Sequence, residues 1–133
     1  MIVGLGVDIV DIARVDRLLA EHGSRALQRL FTPNEAAYCD SKMRPAQHFA
    51  ARLAAKEAAF KALSGSDEAR TIGWREIEVR VEPDGRPALA LHGRALQRAA
   101  ELGVDRCWVS MTHDGGSAHA TVILEGSPTP PRD

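Results

Sequence analysis

Residues 2–10 alternate with period two. Val3, Leu5, Val7 and Ile9 fall on one face and Gly4, Gly6 and Asp8 on the other, which predicts a strand. Two glycines on one strand face weaken it unless something approaches the backbone closely. That face is expected to receive a packed helix or a ligand, with the Asp8 carboxylate beside it. From Asp11 the pattern becomes helical, through Ile12, Val15, Leu18 and Leu19, and Gly23 supplies a stop. A short helix is predicted over 24–30. Thr32, Pro33, Asn34 and Glu35 then form a capping box with proline at the first helical position, opening a helix that runs to about Asp40.

The next helix starts at Pro45 and meets no further glycine or proline until Gly65. Phe49, Leu53, Phe60 and Leu63 share one face, and Ala50, Ala51, Ala54, Ala55, Ala58, Ala59 and Ala62 cover most of the rest. A helix apolar nearly all round is buried. It nevertheless carries Arg52, Lys56, Glu57 and Lys61. Lys56 projects near the middle of the Phe/Leu face, so its ammonium must snorkel to water or find an anion. Glu57 and Lys61, at i, i+4, read either as an ion pair along the helix or as working groups.

Beyond a polar loop, Glu76–Glu82 alternates, with Ile77, Val79 and Val81 predicted to face in and Glu78 and Arg80 to face out. A turn over 83–87 returns the chain as Ala88–Leu91. A helix over about Arg94–Leu102, ended by Gly103, leads to strands at Arg106–Met111 and His119–Leu124, joined through Asp114, Gly115 and Gly116. This order predicts a single α+β domain over 1–125, with mainly antiparallel strands around a long buried helix. The proline-rich stretch 126–133 is expected to be a disordered tail.

Composition narrows the function more than the fold. A chain of 133 residues fits one domain, and 17 Lys+Arg against 18 Asp+Glu leave a net charge of −1. No global charge favours nucleic acid or an anionic membrane. Cys39 and Cys107 stand far apart without ligand spacing, so both read as free thiols. No run approaches the roughly 18 apolar residues of a membrane span, and a cytoplasmic location is expected. Gly4-Leu5-Gly6 lacks the third glycine of G-x-G-x-x-G, and no Walker A, H-E-x-x-H or G-x-S-x-G motif occurs.

Asp8 and Glu57 supply two hard oxygen ligands, and Arg52, Lys56 and Lys61 supply cations suited to phosphate. Mg²⁺ usually takes one or two carboxylates together with phosphate oxygens, so the set suits a phosphorylated ligand with metal. His113 closes a predicted strand and sits at its rim. A basic stripe is expected on the first helix, where Arg14 and Arg17 are neighbours at i, i+3 and Arg25 follows.

Three blocks carry a closer likeness: G-L-G-V-D-I-V-D-I-A-R at Gly4–Arg14, F-A-A-R-L-A-A-K-E-A-A-F-K-A at Phe49–Ala62 and V-S-M-T-H at Val109–His113. In these the chain resembles the small bacterial branch of the 4′-phosphopantetheinyl transferases, the holo-[acyl-carrier-protein] synthases. The resemblance implies transfer of the phosphopantetheine arm of coenzyme A (CoA) to a serine of apo-acyl carrier protein, in support of fatty acid biosynthesis. It implies Mg²⁺, with Mn²⁺ as a substitute, held by Asp8 and Glu57, and Lys61 on the diphosphate. Arg52 and His113 would contact CoA phosphates, with Lys56 as a further candidate and Arg44 as the basic residue expected within 41–47. Arg14, with Arg17 beside it, would face the acidic carrier protein. A homotrimer with sites between subunits is also implied. Two other readings compete: a CoA-capturing module without catalysis, which has no need of paired carboxylates, and a metal-dependent diphosphate hydrolase.

Overall fold

A computed structural model describes residues 1–127. Strand β1 (Ile2–Asp11) leads to helices α1 (Ile12–His22), α2 (Ser24–Leu30), α3 (Pro33–Asp40) and α4 (Pro45–Leu63). Two short 3₁₀ turns, Glu68–Thr71 and Trp74–Glu76, occupy the expected polar loop. Strands β2 (Ile77–Val81) and β3 (Pro87–Leu91), helix α5 (Gly93–Leu102) and strands β4 (Val104–Asp114) and β5 (Ser117–Gly126) complete the fold. All strand pairing is antiparallel: β1-β5-β4 form one sheet, β2-β3 the other. The last hairpin is longer than predicted, with Asp114 opposite Ser117 across a two-glycine turn. Gly126 belongs to β5 rather than to the expected tail, and residues 128–133 lie outside the described residues.

The alternation in β1 is realised, and its glycine face receives a helix. Helix α4 lies against β1 and β5 so closely that a Cβ on Gly6 would stand 1.8 Å from the Ala58 carbonyl oxygen, and one on Gly4 2.4 Å from that of Ala62. The same face continues on β5 as Ala118, Ala120, Val122 and Leu124, all buried. Alanine on α4 and glycine on β1 thus solve one packing problem together, since neither partner places a side chain between the backbones.

The other face of β1 has no cover among the described residues. Leu5, Val7 and Ile9 are 62%, 57% and 61% exposed, and the Leu5 row continues through Ile123 to Trp108, itself 47% exposed.

Capping of α3 follows the predicted box, with Thr32 Oγ1 accepting from Glu35 N and Glu35 Oε1 from Thr32 N. Glu35 also does what the sequence could not reveal. Buried beside Lys56, it accepts from the ammonium at 2.7 Å through Oε1 and from Val79 N at 2.8 Å through Oε2. Lys56 donates further to the carbonyls of Trp74 (2.9 Å) and Ile77 (2.6 Å). Its three donors are thereby used, and α3, α4 and the start of β2 are tied at one buried point.

Strand β2 buries Ile77 and Val79 and exposes Arg80 as predicted, but departs at two positions. Glu78 is buried, accepting from Thr32 Oγ1 (2.6 Å) and Arg80 Nε (3.0 Å), while Val81 is 40% exposed. A carboxylate so placed is held by donors rather than by water, which removes the penalty that periodicity alone assigns to it.

Candidate active site

Close packing of α4 on β1 brings Asp8 and Glu57 together at the rim of the glycine face. Asp8 is mostly buried. Lys61, one turn past Glu57, donates to Asp8 Oδ1 at 3.0 Å and to the Val7 carbonyl at 2.9 Å. Lys61 therefore pairs across elements, not along its helix with Glu57. Asp8 Oδ2 is buried and has no partner.

The two carboxyls titrate apart. Burial pushes Glu57 up, and the neighbouring Asp8 carboxylate pushes it further, to about 7, although Arg14 and Lys61 pull the other way. Burial also raises Asp8, but the neighbouring Glu57 carboxyl and the Lys61 ammonium outweigh it and hold Asp8 below its ordinary value. Such a pair keeps a proton near neutral pH because two adjacent carboxylates resist ionising together. A divalent cation suits the same place, since it would satisfy Asp8 Oδ2 and relieve the repulsion. Among the described residues no group of three or more Asp, Glu, His or Cys is placed to hold a metal ion.

Two concavities flank the pair along α4. Toward its N-terminal end, a cleft of about 160 Å³ is lined by Tyr38, His48, Arg52, Met111 and His113. The Arg52 guanidinium stacks on the Tyr38 ring at 4.3 Å, and its buried Nε has no partner. Lys42 lies on the same ring at 4.5 Å. Burial, and then the charges of Arg52, Lys42 and His113, lower the pKa of His48. Arg52, His48 and His113 thus line one small cleft, with Lys42 over its Tyr38 wall, a setting for an anion. At the other end of α4 a pocket of about 820 Å³ is lined by Phe60, Ser64, Gly65, Ser66, Arg70 and Trp74, with Phe60 edge-on to Trp74.

Of the residues singled out in the sequence, Asp8, Glu57 and Lys61 form one group, and Arg52 and His113 a second. Lys56 is a correction: it is fully buried, its donors are spent on Glu35 and two carbonyls, and it has nothing left for a phosphate. Arg44 sits exposed at the N-cap position of α4, makes no side-chain capping bond and does not line the cleft, whereas Lys42, two residues earlier, reaches its Tyr38 wall. Arg14 and Arg17 are exposed on α1 with no ion pair among the described residues, and the charge of Arg14 reaches Glu57. Tyr38, Lys42 and His48 escaped the sequence reading. An aromatic ring next to a lysine in the 38–48 stretch was the available signal.

A sequence profile of the 4′-phosphopantetheinyl transferase superfamily matches residues 4–123. The chain belongs to this family. It is 50% identical to a holo-[acyl-carrier-protein] synthase of Geobacter sulfurreducens over 94% of this chain and 98% of the relative. The crystal structure of the Neisseria meningitidis holo-[acyl-carrier-protein] synthase superposes with TM-score 0.81 at 29% identity, covering 94% of this chain and 99% of that one. The Helicobacter pylori enzyme, solved in complex with coenzyme A, gives TM-score 0.76 at 27% identity, covering 91% and 99%. Within the family fold, Asp8 and Glu57 come from the G-L-G-V-D and K-E blocks that carried the resemblance.

Proposed function

We propose that the protein transfers the 4′-phosphopantetheine group of CoA to a serine of apo-acyl carrier protein, releasing adenosine 3′,5′-bisphosphate and supporting fatty acid synthesis. The observation that carries this reading is the unpartnered Asp8 Oδ2 beside a Glu57 that still holds a proton near pH 7, with Lys61 at the rim. Asp8 and Glu57 would hold Mg²⁺ or Mn²⁺, which when bound neutralises diphosphate charge. Lys61, exposed and on a flexible stem, turns from Asp8 to the diphosphate oxygens, where charge grows as the bond to the leaving bisphosphate breaks. Glu57, once cation binding has displaced its own proton, would accept the serine proton. A carboxylate has two oxygens, so it can serve a cation with one and a proton with the other. Arg52, His113 and Lys42 form an anion site for CoA phosphate.

The partner is read from α1 and α2. A groove of about 620 Å³ is floored by Leu18 and Leu30 and rimmed by His22, Arg25 and Arg29. With Arg14 and Arg17 further along α1, it suits an acidic helix that also offers an apolar residue. The uncovered face of Leu5, Val7, Ile9 and Trp108 is covered by other copies in a homotrimer, since a monomer rarely leaves so much apolar surface in water.

Incubation with CoA, Mg²⁺ and apo-acyl carrier protein tests the whole reading. The carrier should gain the mass of one phosphopantetheine, and chelation of divalent cations should abolish the gain. An unmodified carrier alongside hydrolysed CoA would establish a diphosphate hydrolase instead.

A further inference from the structure

The last carbonyls of a helix have no partners within it. At the end of α4 two of them are taken by a single side chain from another element. Arg98 on α5 donates Nε to the Leu63 carbonyl at 2.8 Å and Nη2 to the Ser64 carbonyl at 3.0 Å. Its Nη1 is held by Glu101 Oε2 at 3.0 Å, and the side chain is only 12% exposed. The planar fork of a guanidinium suits adjacent carbonyl oxygens, and a cation at a helix C-terminus is favoured by the helix dipole. The next residue, Gly65, has φ +112, a conformation open to glycine, and a Cβ there would lie 3.2 Å from Arg98 Nη2. The course of the chain through Ser64 and Gly65 is therefore set by α5.

Those same residues form one wall of the pocket of about 820 Å³, opening one turn beyond Glu57. Another wall, Trp74, is pinned through its carbonyl by Lys56. Arg98 does not line the pocket. We propose that Arg98 is a positioning residue for CoA: its bonds to the Leu63 and Ser64 carbonyls hold the Ser64–Ser66 wall in the shape that receives the substrate, without contact between Arg98 and substrate. This inference rests on the transferase reading for the identity of the ligand.

Kinetics with CoA varied at saturating carrier, together with direct titration of CoA by tryptophan fluorescence, test it in the full-length protein. Loss of two charge-assisted hydrogen bonds that order a binding wall should raise both the KM and the Kd for CoA about 10-fold in Arg98→Met. Turnover should stay within about twofold and the KM for carrier should not move, the mark of an interaction equal in ground and transition states. Arg98→Lys, which keeps the charge and can reach a carbonyl, should recover most of the CoA affinity. Ala100→Gly, at an exposed position on the same helix and lowering its helix propensity, controls for general loosening of α5 and should leave CoA affinity as it was. A folded Arg98→Met protein with wild-type affinity for CoA and only a lowered Tm would make Arg98 a helix cap and overturn the proposal. If the methionine variant does not fold, Arg98→Gln decides: it keeps a donor but loses the fork, and unchanged affinity there also overturns it. Wild-type protein that binds CoA but transfers nothing would sink the transferase reading while leaving the binding comparison intact.

Discussion

Lys61 bonds to Asp8 across two elements, at 3.0 Å, in preference to Glu57 one turn back on its own helix. The ammonium thus balances the carboxylate that keeps its charge and leaves Glu57 to retain a proton. Removing it should affect rate more than binding. Lys61→Ala is expected to lower kcat about 100-fold, the scale of a lost charge-stabilising donor, while KM for CoA changes little. A matched loss in both, measured by steady-state kinetics, would mean that Lys61 acts in ground-state binding only.

Glu57 makes the metal-free protein sensitive to pH in a definite direction. Its carboxyl titrates at about 7 when folded against 4.5 ordinarily, so the folded state holds the extra proton between these values. The stability gained from that proton is complete below the lower value and is lost as pH rises through the upper one. Thermal unfolding in a chelator should show Tm falling across this window, with a flatter profile for Glu57→Gln. Added Mg²⁺ should restore Tm most at the alkaline end, where no proton competes for the site. Parallel profiles for the two proteins would exclude Glu57 as the titrating group.

Lys56 belongs to stability. Lys56→Met leaves Glu35 charged and buried, and a loss of about 3–5 kcal/mol is expected by urea denaturation. Adding Glu35→Gln should return part of it, because the stranded charge is gone. A double variant less stable than the single would show that Glu35 has its main partners elsewhere.

Gly6 tests the close approach of helix and sheet. Gly6→Ala must displace the Ala58 backbone, at a cost of about 3 kcal/mol, whereas Gly116→Ala, with nothing within 4 Å of its added carbon, should be close to neutral. Calorimetry on both separates crowding from the general effect of replacing a glycine.

Arg14 reports on the carrier. Arg14→Glu should raise KM for the acidic carrier several-fold, and rising salt should weaken the wild-type encounter in the same sense, while CoA affinity is unaffected. If CoA affinity falls and carrier KM does not, Arg14 belongs to the nucleotide site.

What the sequence made legible was local. The glycine face of β1, the capping box at Thr32 and the largely apolar α4 follow from periodicity and short spacing, and the long-range pairing of Asp8 with Glu57 only from family likeness. The missing parts depend on contacts between distant positions. Glu78 reads as outward by alternation, yet Thr32, 46 residues earlier, and Arg80 supply its donors. Lys56 has the look of a phosphate ligand until Glu35, 21 residues away, is seen to occupy it. Arg44 and Lys42 are equivalent on paper, and only the Tyr38 ring distinguishes them.

The contact of Gly6 with Ala58 also has a consequence for the order of events during folding. The two carboxylates belong to segments separated by more than a third of the chain, and they meet only when the first strand has docked under the central helix. No hairpin or isolated helix can hold both groups, so a partly folded chain lacks the site altogether. Affinity for a divalent cation at this pair would therefore be acquired with long-range closure, and such an ion would act as a selector for molecules that have completed it.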